Sequence, residues 1–176
     1  MLNIEKSKTI LVPTDFTHVG EAALNHATML ASKTNKSITL LHVIATAADK
    51  AKANEKLEEI AKRNASATGV QTEFTTSVGT IFDQIGQVAD IVNAVLVVMG
   101  THGIKGVQKI TGSYALKVIT KSNVPFIVVQ KSPELNTYSR IVIPISYQRE
   151  SKQPLFSIRD IARVFGATCY LVYARS

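Results

Sequence analysis

The sequence predicts an α/β fold built on a doubly wound, five-stranded parallel sheet, followed by a shorter β-α-β segment. Three observations carry this. Short β-branched runs alternate with amphipathic stretches five times over about 130 residues, the pattern of strands joined by crossover helices. The run "AVLVVMG", Ala94 to Gly100, is apolar without alternation, as a strand covered on both faces is. The chain also repeats itself: "RIVIPISYQRESKQPLFSIRDIARVFGATCYLVYA" from Arg140 lies without a gap on the stretch that starts at Thr9, under a constant shift of 131. Pro144 then falls on Pro13, Ala162 on Ala31 and Leu171 on Leu40.

"KTILVPT", Lys8 to Thr14, reads as a buried strand closed by Pro13. Asp15 and Thr17 open a helix in which Ala23, Ala27, Leu30 and Ala31 recur at helical spacing. "SITLLHVI", Ser37 to Ile44, is the second strand. A charge-laced helix spans Ala48 to Thr68, with Leu57, Ile60 and Ala61 as its inner stripe and Gly69 as its cap. Val70 to Val78 alternates, as an edge strand with one wet face does. A helix from Thr80 to Val92 turns Ile81, Ile85, Val88 and Ala89 to one side; a further helix from Ser113 to Thr120 precedes the last strand, Val124 to Gln130. The linker "KSPELNTYS" separates a complete domain, 1–131, from a fragment, 140–176, that holds only a strand, a helix and a strand.

The formal charge of +7, from 20 Lys and Arg against 13 Asp and Glu, would suit a polyanion, but the lysines are scattered. With five Tyr, six Phe and no Trp there is little for nucleic-acid bases to stack on, so nucleic acid is not the expected partner. No run reaches the roughly 20 apolar residues that span a bilayer, and the run in "MLNIEKSKTILVP" is too short for a signal peptide. The single Cys169 allows no internal disulfide, which makes a reducing, cytoplasmic setting the expectation; its apolar neighbours in "ATCYLVYA" predict a buried thiol.

In an open parallel sheet, ligands collect beyond the carboxyl ends of the strands where the strand order reverses. "GTHGIKGVQKITGSYALKVI", Gly100 to Ile119, begins at such an end and holds four of the nine glycines. Without β-carbons the backbone there can wrap a phosphate, and the next helix offers unpaired N–H groups and the hydroxyl of Ser113. A tight structural turn explains the glycines as well. Asp15, ending the first strand, can accept from a ribose or adenine, or cap the next helix. No Walker loop closes the glycines, and no dinucleotide fingerprint comes after the first strand. His18, His26, His42 and His102 lack metal-ligand spacing; His26 and His42 read as structural, while His102 lies between loop glycines. Asp83 and Asp90 read as surface carboxylates of a helix. No catalytic residue and no metal site emerges.

"ILVPTDF", "LLHV", "VVMGTHGIKG", "GSYALKVI" and "NVPFIVV" together resemble the universal stress protein family, over Lys8 to Gln130 as a whole domain and Arg140 to Ser176 as the start of a second, as in tandem members. The resemblance implies the adenine-nucleotide alpha-hydrolase-like fold and a role in stress response without a defined reaction, slow ATP hydrolysis being left open. It implies ATP or AMP as ligand, with Mg left open and an empty site the alternative. It also implies a homodimer or pseudo-dimer through the sheet edge near Val124 to Val129. In ATP-binding members a Gly-x-x-Gly pair, nine residues and Gly-Ser or Gly-Thr hold the phosphates. Here Gly100, Gly103, Gly112 and Ser113 match, with Tyr114 contributing backbone, but only eight residues separate Gly103 from Gly112. Asp15 matches the residue at the ribose or base and Val43 the one whose backbone faces adenine. Pro13, Thr14, Met99 and His102 complete the implied binding set. In the second segment Ser146 stands where Asp15 would, and Arg149 and Lys152 replace the small polar opening, so that half is expected to be the poorer site. The rival reading is a dimeric interaction module of the same fold that binds no nucleotide.

Overall fold

The computed structural model describes residues 9–101, 112–145 and 154–173. These fall into two units, Met1–Pro133 and Glu134–Ser176.

In the first unit, β1 (Thr9–Pro13) leads to α1 (His18–Thr34) and β2 (Ser37–Ile44). A single 3-10 turn precedes α2 (Lys50–Thr68) and β3 (Thr72–Val78). α3 (Ile81–Ile91), β4 (Ala94–Gly100), α4 (Gly112–Ile119) and β5 (Phe126–Val129) complete it. The five strands are parallel in the order β3-β2-β1-β4-β5. The order reverses at β1 and β4, whose carboxyl ends therefore flank the crevice where such sheets take ligands.

Alternation along β1 sends Leu11 to one layer and Ile10 and Val12 to the other. Leu11 joins Leu41, Val97 and Met99 in a core cluster with Ile85, Val88 and Ala89 of α3 and Val118 of α4. On the other layer α1 packs on β1 and β4, and α2 on β2 and β3. α1 turns in Ala23, Ala27, Leu30 and Ala31, as its spacing predicts. α2 buries Ala53, Leu57 and Ala61, while Ile60 is half-buried. Gly69 ends α2 in the left-handed region at φ 74, where a β-carbon would be strained. His26 is buried and bonds the Lys131 carbonyl at 3.0 Å, a structural part as expected.

The second unit is β6 (Arg140–Ile145), α5 (Pro154–Phe165) and β7 (Thr168–Tyr173). Its strands pair in parallel with Arg140 opposite Thr168 and Pro144 opposite Val172. That register is the β1–β2 register, Thr9 opposite Ser37 and Pro13 opposite Leu41, moved by 131 residues. The helix exits match too. Asn35 at φ 52 and Gly166 at φ 62 hold the left-handed turn, closed by Lys36 N–H on Ala31 O at 3.0 Å and Ala167 N–H on Ala162 O at 2.9 Å. Tyr138 meets the Phe165 ring edge at 5.0 Å, and burial pushes its hydroxyl up to about 12.

One expectation fails in this unit. Cys169 is exposed, not buried, because every residue of β7 is exposed. Alternation with apolar residues marks a strand, but burial needs a layer over it. Among the described residues no helix is long and apolar enough to cross a membrane.

Candidate functional site

The β1–β4 ladder ends at Leu11 and Val97, and both strands run on beyond it towards Thr14 and Gly100. From Pro13 the chain enters a tightly bonded turn. Thr14 N–H donates to Leu41 O at 2.8 Å, and Thr14 O accepts from His42 Nδ1 at 2.7 Å, so both backbone groups of Thr14 are held by β2. Thr14 Oγ1 accepts from Phe16 N–H at 3.1 Å. Phe16 has φ 65, a left-handed conformation that a bulky side chain rarely adopts. Its ring centroid lies 4.3 Å from that of His42, and Lys56 Nζ stands 5.2 Å from it.

Asp15 projects at the tip of this turn and is exposed. It does not cap α1. Thr17 does, its hydroxyl accepting from Gly20 N–H at 3.4 Å, while Asp15 Oδ1 accepts from Thr17 N–H at 3.1 Å and Thr17 Oγ1 at 2.6 Å. The carboxylate is thus oriented by the cap and stays at the surface.

Two glycines interlock around the first turn of α1. A β-carbon on Gly20 would lie 2.7 Å from Thr14 Oγ1 and 3.3 Å from Asp15 Oδ1. One on Gly100 would lie 2.5 Å from Val19 Cγ1 and 2.6 Å from Val19 O. Gly100 is therefore required by the packing of β4 against α1, whatever the loop after it binds.

The structure brings Pro13, Thr14, Asp15, Met99 and Gly100 to the same end of adjacent strands, with Val43 two strands from β4 at the end of β2. Pro13, Thr14 and Val43 are half-buried. The Met99 side chain is turned into the core, which leaves its backbone alone for a ligand. Gly112, Ser113 and Tyr114 form the first turn of α4. His102 and Gly103 lie outside the described residues, as do Ser146, Arg149 and Lys152 of the second unit.

Phe16, Thr17, Gly20 and His42 escaped the sequence reading as parts of the site. Thr17 and Gly20 carry a usable signal, a hydroxyl three residues before a glycine at a helix start; Phe16 carries none, since propensity argues against an aromatic residue there. Beside the turn, α1 and α2 leave a cleft of about 370 Å³ lined by Lys56, Glu59 and Arg63 of α2 and by Glu21 of α1, which pairs with Arg63 at 3.4 Å. A larger cleft of about 480 Å³ lies between α2 and β3 and is lined by Glu58, Lys62, Thr72 and Phe74, away from the crevice. Among the described residues no three His, Cys, Asp or Glu side chains group as metal ligands would.

The universal stress protein family model matches residues 6–130. The chain belongs to that family. Universal stress protein MJ0577 of Methanocaldococcus jannaschii is 27% identical over 155 residues, covering 70% of this chain and 95% of the relative. A universal stress protein solved in complex with cAMP superposes with TM-score 0.59 at 24% identity, over 72% of this chain and 98% of its own. The universal stress protein from Archaeoglobus fulgidus in complex with dAMP gives TM-score 0.56 at 23% identity, over 70% and 98%. At those identities the two structures establish a shared fold.

Proposed function

We propose that this universal stress protein binds an adenine nucleotide, ATP or AMP, in the crevice between β1 and β4 and acts as a cytoplasmic sensor or regulator without a defined reaction. The observation that carries this is the anchored turn: an exposed carboxylate, Asp15, is fixed at the carboxyl end of β1, beside the end of β4, where the strand order reverses. The residues present fit the ligand. Asp15 can accept from ribose hydroxyls or the adenine amine, half-buried Pro13 and Val43 offer apolar surface, and a helix start such as that of α4 has unpaired N–H groups that suit phosphates. That relatives of the same fold were solved with cAMP and dAMP supports an adenine ligand. His102, Gly103, Gly112, Ser113 and Tyr114 form the phosphate side of this proposal.

The decisive experiment is calorimetric titration of the whole chain with ATP and AMP, with and without Mg, beside Asp15→Ala and Gly112→Val. Saturable binding weakened by both variants is expected. Folded wild-type protein that binds neither nucleotide overturns the reading. The second reading, a dimeric module without nucleotide, rests on β5 standing at the sheet edge with Val128 41% exposed. Under either reading we expect self-association along Phe126–Val129, and we read β6-α5-β7 as the opening of a second domain of this family, since it keeps the β1–β2 register.

A further inference from the structure

From the bonding of the β1–α1 turn we infer that His42 is a positioning residue for the crevice: its Nδ1–H, held on the Thr14 carbonyl, fixes the conformation in which Asp15 is presented. This deepens the nucleotide reading above and rests on it.

A carbonyl oxygen only accepts, so the 2.7 Å contact assigns the proton to His42 Nδ1. Thr14 is thereby pinned twice to β2, by Leu41 O on its N–H and by His42 on its C=O. The next residues need that anchor. Phe16 sits at φ 65, a conformation that persists in a non-glycine residue only where the surroundings over-determine it. Three contacts do so here: its N–H on Thr14 Oγ1, its ring on the His42 ring, and Lys56 over the ring. Two of the three pass through His42 or the residue His42 holds. Turn Phe16 out of this conformation and Asp15 and Thr17, bonded to each other on either side of it, must move together. His42 therefore acts on a ligand through Asp15 without touching it.

The test uses the full chain and three variants. Asn places an amide N–H where Nδ1 stands; Gln carries the same group one bond too far; Leu keeps volume and removes the donor. Amide hydrogen exchange is followed at Phe16 and Thr17, whose N–H groups bond within the turn, with Thr14 N–H on β2 as internal control. ATP and AMP affinities are measured alongside. His42→Leu is expected to speed exchange at Phe16 and Thr17 and to weaken nucleotide binding by on the order of tenfold, about what one lost hydrogen bond gives. His42→Asn is expected to restore both. If the Leu variant does not fold, the other pair decides: Asn binding more tightly than Gln supports the inference, and equal binding overturns it. Wild-type protein that binds while His42→Leu binds equally well overturns the role of His42 alone. Wild-type protein that binds no nucleotide overturns the parent reading and this one with it.

Discussion

β1-α1-β2 and β6-α5-β7 share register, helix exit and sequence frame, yet their strands live in different surroundings. Leu40 of β2 is 1% exposed and Leu171, the same residue type at the same position of β7, is 66% exposed. In the first unit β1 gains β4 on its other edge and β2 gains β3, with two helices on each face. Among the described residues of the second unit, β6 and β7 pair with each other alone. Strand formation follows from local pattern and one pairing partner; burial follows from layers supplied by residues far away in sequence.

The comparison is sharpest at position 169. Cys169 is exposed, and its counterpart in the first unit, Ile38, is fully buried. In native protein Cys169 should react with a thiol reagent at close to the unfolded rate. Ile38→Cys in a Cys169→Ser background should be protected by about a thousandfold or more, since its labelling must wait for an opening of the core. Equal rates would mean that the two strand pairs are covered alike.

The two leucines give the next largest contrast. Leu40→Ala should cost about 2–5 kcal/mol in denaturant unfolding, the range for a buried leucine, and Leu171→Ala within about 0.5 kcal/mol. A Leu171 cost in the core range would reveal a layer over β7 and break the contrast.

A smaller effect is expected where the two frames differ in residue. Gly20 stands opposite Ser151 under the shift. Gly20→Ser would press its β-carbon on Thr14 Oγ1 and Asp15 Oδ1 at 2.7 and 3.3 Å, so we expect a loss of about 1–3 kcal/mol together with altered Asp15 and Thr17 chemical shifts. Unchanged shifts and stability would show that the turn has room for a β-carbon.

These positions also show what was legible in the sequence. The unbroken apolar run of β4 announced a strand covered on both faces, and Gly69 announced a left-handed helix exit, because each depends on residues within one element. The strand end at Gly100 was legible as a candidate ligand end, while the order that sets β1 beside β4 belongs to the fold. The construction of the crevice was not legible. Phe16 at positive φ contradicts its own propensity and depends on His42, 26 residues on. Gly100 reads in the sequence as a phosphate contact, and the fold adds a second demand on it, the close approach of Val19, a packing partner that only the fold brings near. Cys169 was misread for the same reason, since alternation says nothing of the layer above.

The smallest expected effect concerns pH and belongs to the first unit alone, because the shift puts Ser157 where the first unit has His26. Burial pushes the His26 imidazole below 6.5, and its bond to Lys131 O offsets that in part. With the folded value lowered, the unfolded chain takes up the proton first as pH falls. The stabilising contribution is therefore complete above about 6.5 and is lost as pH drops towards the folded value. The unfolding free energy of wild type should decline over that window more steeply than that of His26→Gln. The difference in slope should stay under about 1.4 kcal/mol per pH unit, the limit for one proton. Parallel slopes would mean that His26 titrates alike in both states, and that its buried place on α1 costs the imidazolium nothing.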